Sequence, residues 1–186
     1  MKIIISRKGF DAENGGIASP IMPDGAVLSL PIPCEYDEPY ESLEYNNRSY
    51  LDILKELKAK KVYTFCGHFD PDLTSSIRKQ IPNGWCPVFG QCGGAETHLE
   101  NNGVKIGDLF LFFGWFRQTE EQNGILRFVR SSPDVHMFFG YLQIGQIVKG
   151  KDVKKYAWHP HSYRVDENNT MYVASQAYQQ IALRII

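Results

Sequence analysis

Between positions 66 and 73 the chain reads CGHFDPDL, which gathers a cysteine, a histidine and two aspartates into one short stretch. Two chemistries suit that set. His68 could act as a base near neutral pH, with Asp70 or Asp72 orienting its imidazole. Alternatively, His68, Asp70 and Asp72 could offer a ring nitrogen and carboxylate oxygens to a divalent cation. Arg78 lies one or two helical turns beyond Asp72 and reaches back to it if the intervening segment is helical. A plainer account covers part of the motif: Asp70-Pro71 makes a turn, and Asp72 caps the helix that follows. Turn chemistry explains His68 and Asp70 less readily.

Three other groups invite a chemical reading. In SRKGFDAENGG, Arg7 and Lys8 stand at a strand end, followed by Asp11 and the pair Gly15-Gly16. Glycines beside cations can turn backbone N–H groups toward a phosphate, although the spacing fits neither a Walker nor a Rossmann loop. Asp11 is a further acid/base candidate, or the partner of Arg7 in a buried ion pair; a charged loop with flexible glycines accounts for the segment equally well. In WHPHSYR, His159 and His161 are two apart on an extended stretch, so both imidazoles could face one metal ion. At the end of an apolar strand, Trp115 and Arg117 combine a ring that stacks on a base with a guanidinium that contacts phosphate. The phenylalanines and leucines around them read as core. The thiols Cys34, Cys66, Cys86 and Cys92 match no common zinc spacing and read as free thiols rather than a disulfide framework.

These groups need elements to hold them. KIIIS reads as a buried strand, and the segment after it as a long loop rich in Gly, Pro, Asn and Asp. SYLDILKELKAKK is the clearest helix, with Ser49 as its cap and Leu51, Ile53, Leu54 and Leu57 near helical spacing. VYTFC reads as a strand running straight into the chemical motif, which puts that motif at a strand-to-helix junction, and DLTSSIRKQIP as a short helix stopped by Pro82. Residues 84–108 read as glycine-rich loop. Strands follow at 109–116, 125–130, 136–150 and 171–175, the first two joined by a hairpin whose tightest point is Asn123-Gly124. Gly114 and Gly140, facing each other on neighbouring strands, suggest a bulge or a barrel corner. The expected fold class is α+β in a single domain (1–186). A mixed α/β portion (1–83) carries the functional loop, and a curled antiparallel, partly barrel-like sheet fills the β-rich portion (84–186).

The chain has 186 residues, 43% of them hydrophobic, enough for one ordinary core. Its net charge of −1 gives no long-range pull toward extended duplex and favours a small nucleotide or a flipped base. The opening residues are too short an apolar run for a signal peptide, and none approaches the ~20 residues of a membrane span, so a cytoplasmic protein without a membrane partner is expected. The terminal ALRII, ending on apolar residues, is unusual for a free C-terminus and suggests that the ordered part stops short of the natural end.

The blocks SRKGFD, GG, SLPIP, HFDPDL, LFFGWFR, FFGYLQIG, HPH and NTMYVAS in combination resemble a bacterial and phage family, the third type of nucleotide modification associated domain, over nearly the whole chain. Residues 104–150 alone also resemble the strand pair of PUA-like, EVE and ASCH barrels. The first resemblance implies a tie to DNA base modification, the second a small barrel that binds nucleic acid at a modified or flipped base. The expected function is therefore binding of a nucleotide or modified base, single-stranded or flipped, and action upon it. Trp115 and Arg117 would contact base or phosphate, together with Lys8, Gly15 and Gly16. Arg7, Asp11, His68, Asp70 and Arg78 would form the floor of the pocket. One alternative is a hydrolase or transferase acting on a nucleotide, either through His and Asp or with the help of a divalent metal. Others are a non-enzymatic reader and a protein-interaction module using the Phe-rich sheet face.

Overall fold

A computed structural model of the chain describes residues 1–60, 65–165 and 168–175. In chain order these form β1 (Ile3–Arg7), β2 (Ser19–Ile21), β3 (Ile32–Cys34), β4 (Glu38–Pro39), β5 (Glu44–Tyr45), β6 (Arg48–Ser49), α1 (Tyr50–Glu56), β7 (Cys66–His68), β8 (Val88–Gln91), α2 (Gly93–Asn101), β9 (Leu109–Gln122), β10 (Ile125–Phe128), β11 (Asp134–Lys149) and β12 (Thr170–Ala174). The expected strand over 62–66 lies mostly outside the described residues, and ALRII lies wholly outside them.

Strand β9 organises the molecule. Its period-two pattern buries Phe110, Phe112 and Phe116 on one face, the first two against Phe89, Leu142 and Tyr172 and the third against Phe139. The sheet around it runs β1-β9-β11-β12-β8, with β2 and β10 also paired to β9. The β9–β10 hairpin turns at Asn123 and Gly124, both with positive φ (55° and 76°), as a two-residue turn of this hand requires. Both β1 and β2 run parallel to β9, one after the other: Ile3–Arg7 pair with Leu109–Phe113, and Ser19–Ile21 with Phe116–Gln118. The sheet is thus mixed rather than antiparallel, draws strands from both ends of the sequence, and among the described residues does not close into a barrel. Strand β1 is a half-exposed edge rather than a buried strand, with Ile3 and Ile5 open to solvent at 58% and 61%. A bulge lies between Phe138 and Gly140 of β11, but Gly114 faces Met137, not Gly140. Each glycine instead admits a close neighbour: a Cβ at Gly140 would lie 2.4 Å from Leu73 Cδ1, and one at Gly114 2.9 Å from the Lys8 carbonyl.

A small sheet, β3-β7-β4, carries the CGH end of the chemical motif. Helix α1 packs Tyr50, Ile53 and Leu54 into a core shared with Phe10, Leu30, Tyr40 and Phe69, and Ser49 Oγ caps it by accepting from Asp52 N. Two expectations are corrected. The stretch 84–108 is not all loop, since it contains β8 and α2. Asp72 caps no helix: the turn at Ser75–Ile77 is a short 3-10 segment capped by Thr74, while Asp72 bridges to Val88 through both backbone hydrogen bonds at 2.9 Å. Among the described residues no helix is long and apolar enough to cross a membrane.

Candidate functional site

Strand β7 ends at His68, a cis Asp70-Pro71 bond follows, and Asp70 is buried. The Asp70 side chain is almost fully enclosed, 1% exposed, and such a carboxylate must find partners or lose its charge. Its partners come from distant parts of the chain. Gly90 N on β8 donates to Oδ1 at 2.7 Å, and Lys8 Nζ, just past β1, lies 3.4 Å from Oδ2. The HPH segment brings His159 Nε2 to 3.4 Å from Oδ1 and His161 Nε2 to 3.9 Å from Oδ2. The His68 and His161 rings stand 5.3 Å apart. Gly90 makes this convergence possible, because a Cβ there would come within 2.2 Å of the His161 ring.

A second layer orients these groups. Asp37 Oδ2 accepts from His68 Nδ1 at 2.6 Å, and its other oxygen accepts from the Tyr163 hydroxyl. Asn169 Nδ2 donates to the His161 carbonyl at 2.7 Å, which turns its Oδ1 toward His161 Nδ1, also at 2.7 Å. His159 Nδ1 accepts from His161 N at 3.3 Å. Donor atoms of His68, Asp70 and His161 lie within 4.8 Å of one another, as do those of Cys34, Asp37 and His68, so both trios could hold a metal ion.

Electrostatics sharpen the picture. Burial opposes ionisation of Asp70, but the ammonium of Lys8 and the adjacent His159 and His161 outweigh it and hold the carboxyl well below its usual range. Burial likewise works against the Asp37 charge, yet the hydrogen bonds from His68, Tyr163 and Cys34 bring it down to about 2. Burial pushes His161 down to about 4 despite Asp70 and Asn169, so its imidazole is neutral at pH 7. Burial, then Asp37, raises the Cys34 thiol.

Of the residues singled out in the sequence, Lys8, His68, Asp70, His159 and His161 come together here. Asp72 and Arg78 form an adjoining, separate unit: Asp72 Oδ2 accepts from Arg78 Nη2 (2.7 Å) and Trp85 Nε1 (3.0 Å), while Arg78 Nη1 donates to Glu38 (2.6 Å). Burial pushes the Asp72 carboxyl up against the pull of Arg78. Asp11 accepts from the backbone N–H groups of Glu13 and Asn14 (2.8 and 2.6 Å) and closes its own turn with Gly15 and Gly16. Arg7 is exposed, so an Arg7–Asp11 pair is not a buried one. Arg117 donates to the carbonyls of Val129 and Arg130 at 3.1 Å, and Trp115 faces His136 across β9 and β11. Asp37, Tyr163 and Asn169 escaped the sequence reading, although Asn169 follows the HPH segment closely enough to have hinted at a pairing.

A cleft of about 650 Å³ opens beside this cluster, lined by Lys151, Lys154, Ser162, Tyr163 and Arg164 among others. Tyr163 links the two, since its hydroxyl bonds to Asp37.

No curated protein and no solved structure matches the chain. A family match, in contrast, runs from residue 2 to residue 184, so it takes in every side chain of the cluster. The chain belongs to the nucleotide modification associated domain 3 family, which ties it to nucleic-acid modification.

Proposed function

We propose that the protein binds a nucleotide, free or as a modified or flipped base in nucleic acid, and acts on it at the His68–Asp70–His161 cluster. The observation that carries this reading is the convergence of a buried ionised carboxylate, three histidines and a lysine from segments far apart in sequence. Structural ion pairs seldom need so many titratable groups around one oxygen pair. The cleft beside the cluster supports the choice of ligand. Its lining offers Lys151, Lys154 and Arg164 to phosphate oxygens, with Tyr163 as an aromatic platform on the side that leads to Asp37 and His68. His68 is the most open of the three cluster residues, so it meets the ligand first.

The test is calorimetric titration with nucleoside mono- and triphosphates and short single-stranded oligonucleotides, followed by product analysis. Binding is expected to weaken by about tenfold or more in the double variant Lys154→Ala, Arg164→Ala, at roughly 1–1.5 kcal/mol for lost phosphate contacts. Turnover is expected to vanish in His68→Ala while binding persists. Binding unchanged in the double variant would refute the cleft as the phosphate site. Binding lost in Trp115→Ala instead would support the reader alternative, which the part-exposed ring face of Phe113, Trp115, His136 and Phe138 favours.

A further inference from the structure

We propose that His68 Nε2, Asp70 Oδ2 and His161 Nε2 bind one divalent transition-metal ion of the Zn²⁺, Fe²⁺ and Mn²⁺ class. The positions of the ring protons decide which nitrogens are left to ligate. Asn169 Nδ2 is committed to the His161 carbonyl, so Asn169 Oδ1 is an acceptor, and the His161 Nδ1 facing it must carry the hydrogen. That leaves a lone pair on His161 Nε2, directed at the Asp70 carboxylate, 3.9 Å away. The same logic holds for His68: the Asp37 carboxylate accepts from the Tyr163 hydroxyl at one oxygen and faces His68 Nδ1 at 2.6 Å with the other, so His68 Nδ1 is the N–H, and Nε2 carries the lone pair. Each imidazole thus keeps one lone pair, and one donor atom from each of His68, Asp70 and His161 lies within 4.8 Å of the others. Three acceptors in such proximity call for a cation; the Lys8 ammonium, 3.4 Å from Asp70 Oδ2, meets that need for the carboxylate but not for the two imidazole lone pairs.

A proton could fill that role, but the second layer is built as metal sites are built. Ligating histidines almost always donate their outer N–H to a carboxylate or carbonyl oxygen, which fixes tautomer and orientation. Here one uses Asp37 and the other Asn169. His159 differs in the same respect: its Nδ1 accepts from His161 N, so its Nε2 carries the hydrogen and has no lone pair for an ion; it lies 3.4 Å from Asp70 Oδ1 with no hydrogen-bond partner among the described residues. The donor atoms lie within 4.8 Å of one another, and bonds of about 2.1 Å bring ligand atoms to about 3.0–4.2 Å apart, a small contraction. The Cys34–Asp37–His68 trio is a poorer claimant, because its members already hydrogen-bond to one another.

Two histidines and one carboxylate leave coordination positions for water or substrate. An ion here would reach solvent through His68, whose side chain is 14% exposed, and its role as activator of a bound nucleotide rests on the function proposed above. The binding site itself does not. Lys8 provides an internal control. Its ammonium competes for Asp70 Oδ2, so Lys8→Met should bind the ion more tightly, a result no merely structural role for the cluster would give.

The experiment is titration of chelator-treated full chain with Co²⁺ and with Zn²⁺ alone, read by calorimetry and the Co²⁺ visible spectrum. Expected are one ion per chain, a loss of about 100-fold or more in His68→Ala and in His161→Ala, about 10–100-fold in Asn169→Ala, and tighter binding in Lys8→Met. Circular dichroism separates lost ligands from lost fold, and the wild-type stoichiometry stands independently of any variant. Absence of stoichiometric binding to the folded wild type overturns the proposal, as does binding that survives both histidine substitutions. Nucleotide titrations of the same chelator-treated protein run separately, so a missing ion and a missing nucleotide site give different results.

Discussion

Asp70 is the residue on which the chemistry turns, and Gly90 is the residue that lets its surroundings assemble. Glycine contributes its N–H to Asp70 and, by lacking a side chain, the space for the His161 ring. Gly90→Ala is therefore expected to displace His161, lowering metal affinity by about tenfold or more without removing any polar group; retention of full affinity would show that the ring does not need that place. His161 also sets a pH dependence in the metal-free protein, within a pocket shared with Asp70, His68 and His159. Its folded pKa lies near 4 against an ordinary 6.5, so the unfolded chain takes up the proton first as pH falls. Stability should decline from about pH 6.5 to about pH 4, where this contribution levels off. Asp70, whose folded carboxyl is lowered, adds a further loss as pH drops below its ordinary value. Denaturant midpoints across that range check the slope, which His161→Gln should flatten between pH 6.5 and 4.

At the level of elements, the segment after Asp70 is held by charge rather than by helix formation. Arg78 is buried between Asp72 and Glu38 and stacks over Phe69 at 4.9 Å. Arg78→Ala strands the Asp72 carboxylate and should cost about 3–5 kcal/mol in urea denaturation. Ser49→Ala, which removes only the cap of α1, should cost about 1 kcal/mol. The contrast marks what was legible in the sequence. The Ser49 cap with its leucines, and the Asn123-Gly124 hairpin, follow from local rules and reappear in the structure. Helix α2 does not, because it begins Gly93-Gly94, positions that locally disfavour a helix. Its start is stabilised from outside, where Asn168 accepts from Gly93 N and donates to Thr97. The chemical motif itself was legible as a cluster at a strand end. Its partners Asp37, Tyr163 and Asn169 were not, since they sit in loops with no fixed spacing to it.

Over the whole molecule, the cluster joins residues 8, 37, 68–70, 90 and 159–161, so it exists only when the N-terminal strand, both sheets and the HPH segment are folded together. An ion or nucleotide held there has little to bind in the unfolded chain and should raise the midpoint of global unfolding, by about 2.7 kcal/mol at a hundredfold excess over Kd. Scanning calorimetry with and without Zn²⁺ checks this, and a midpoint that does not move would argue against a site spanning the fold.

The parallel pairing of β1 with β9 carries a consequence for synthesis. Ile3 meets Leu109 only after about 100 further residues have been made, which takes roughly 5–20 s at ordinary elongation rates. Throughout that interval a stretch of three consecutive isoleucines waits without its sheet. The nascent chain thus presents a short, sticky, strand-prone segment long before its partner emerges. Ribosome-associated holding factors that recognise such segments should engage it until β9 arrives.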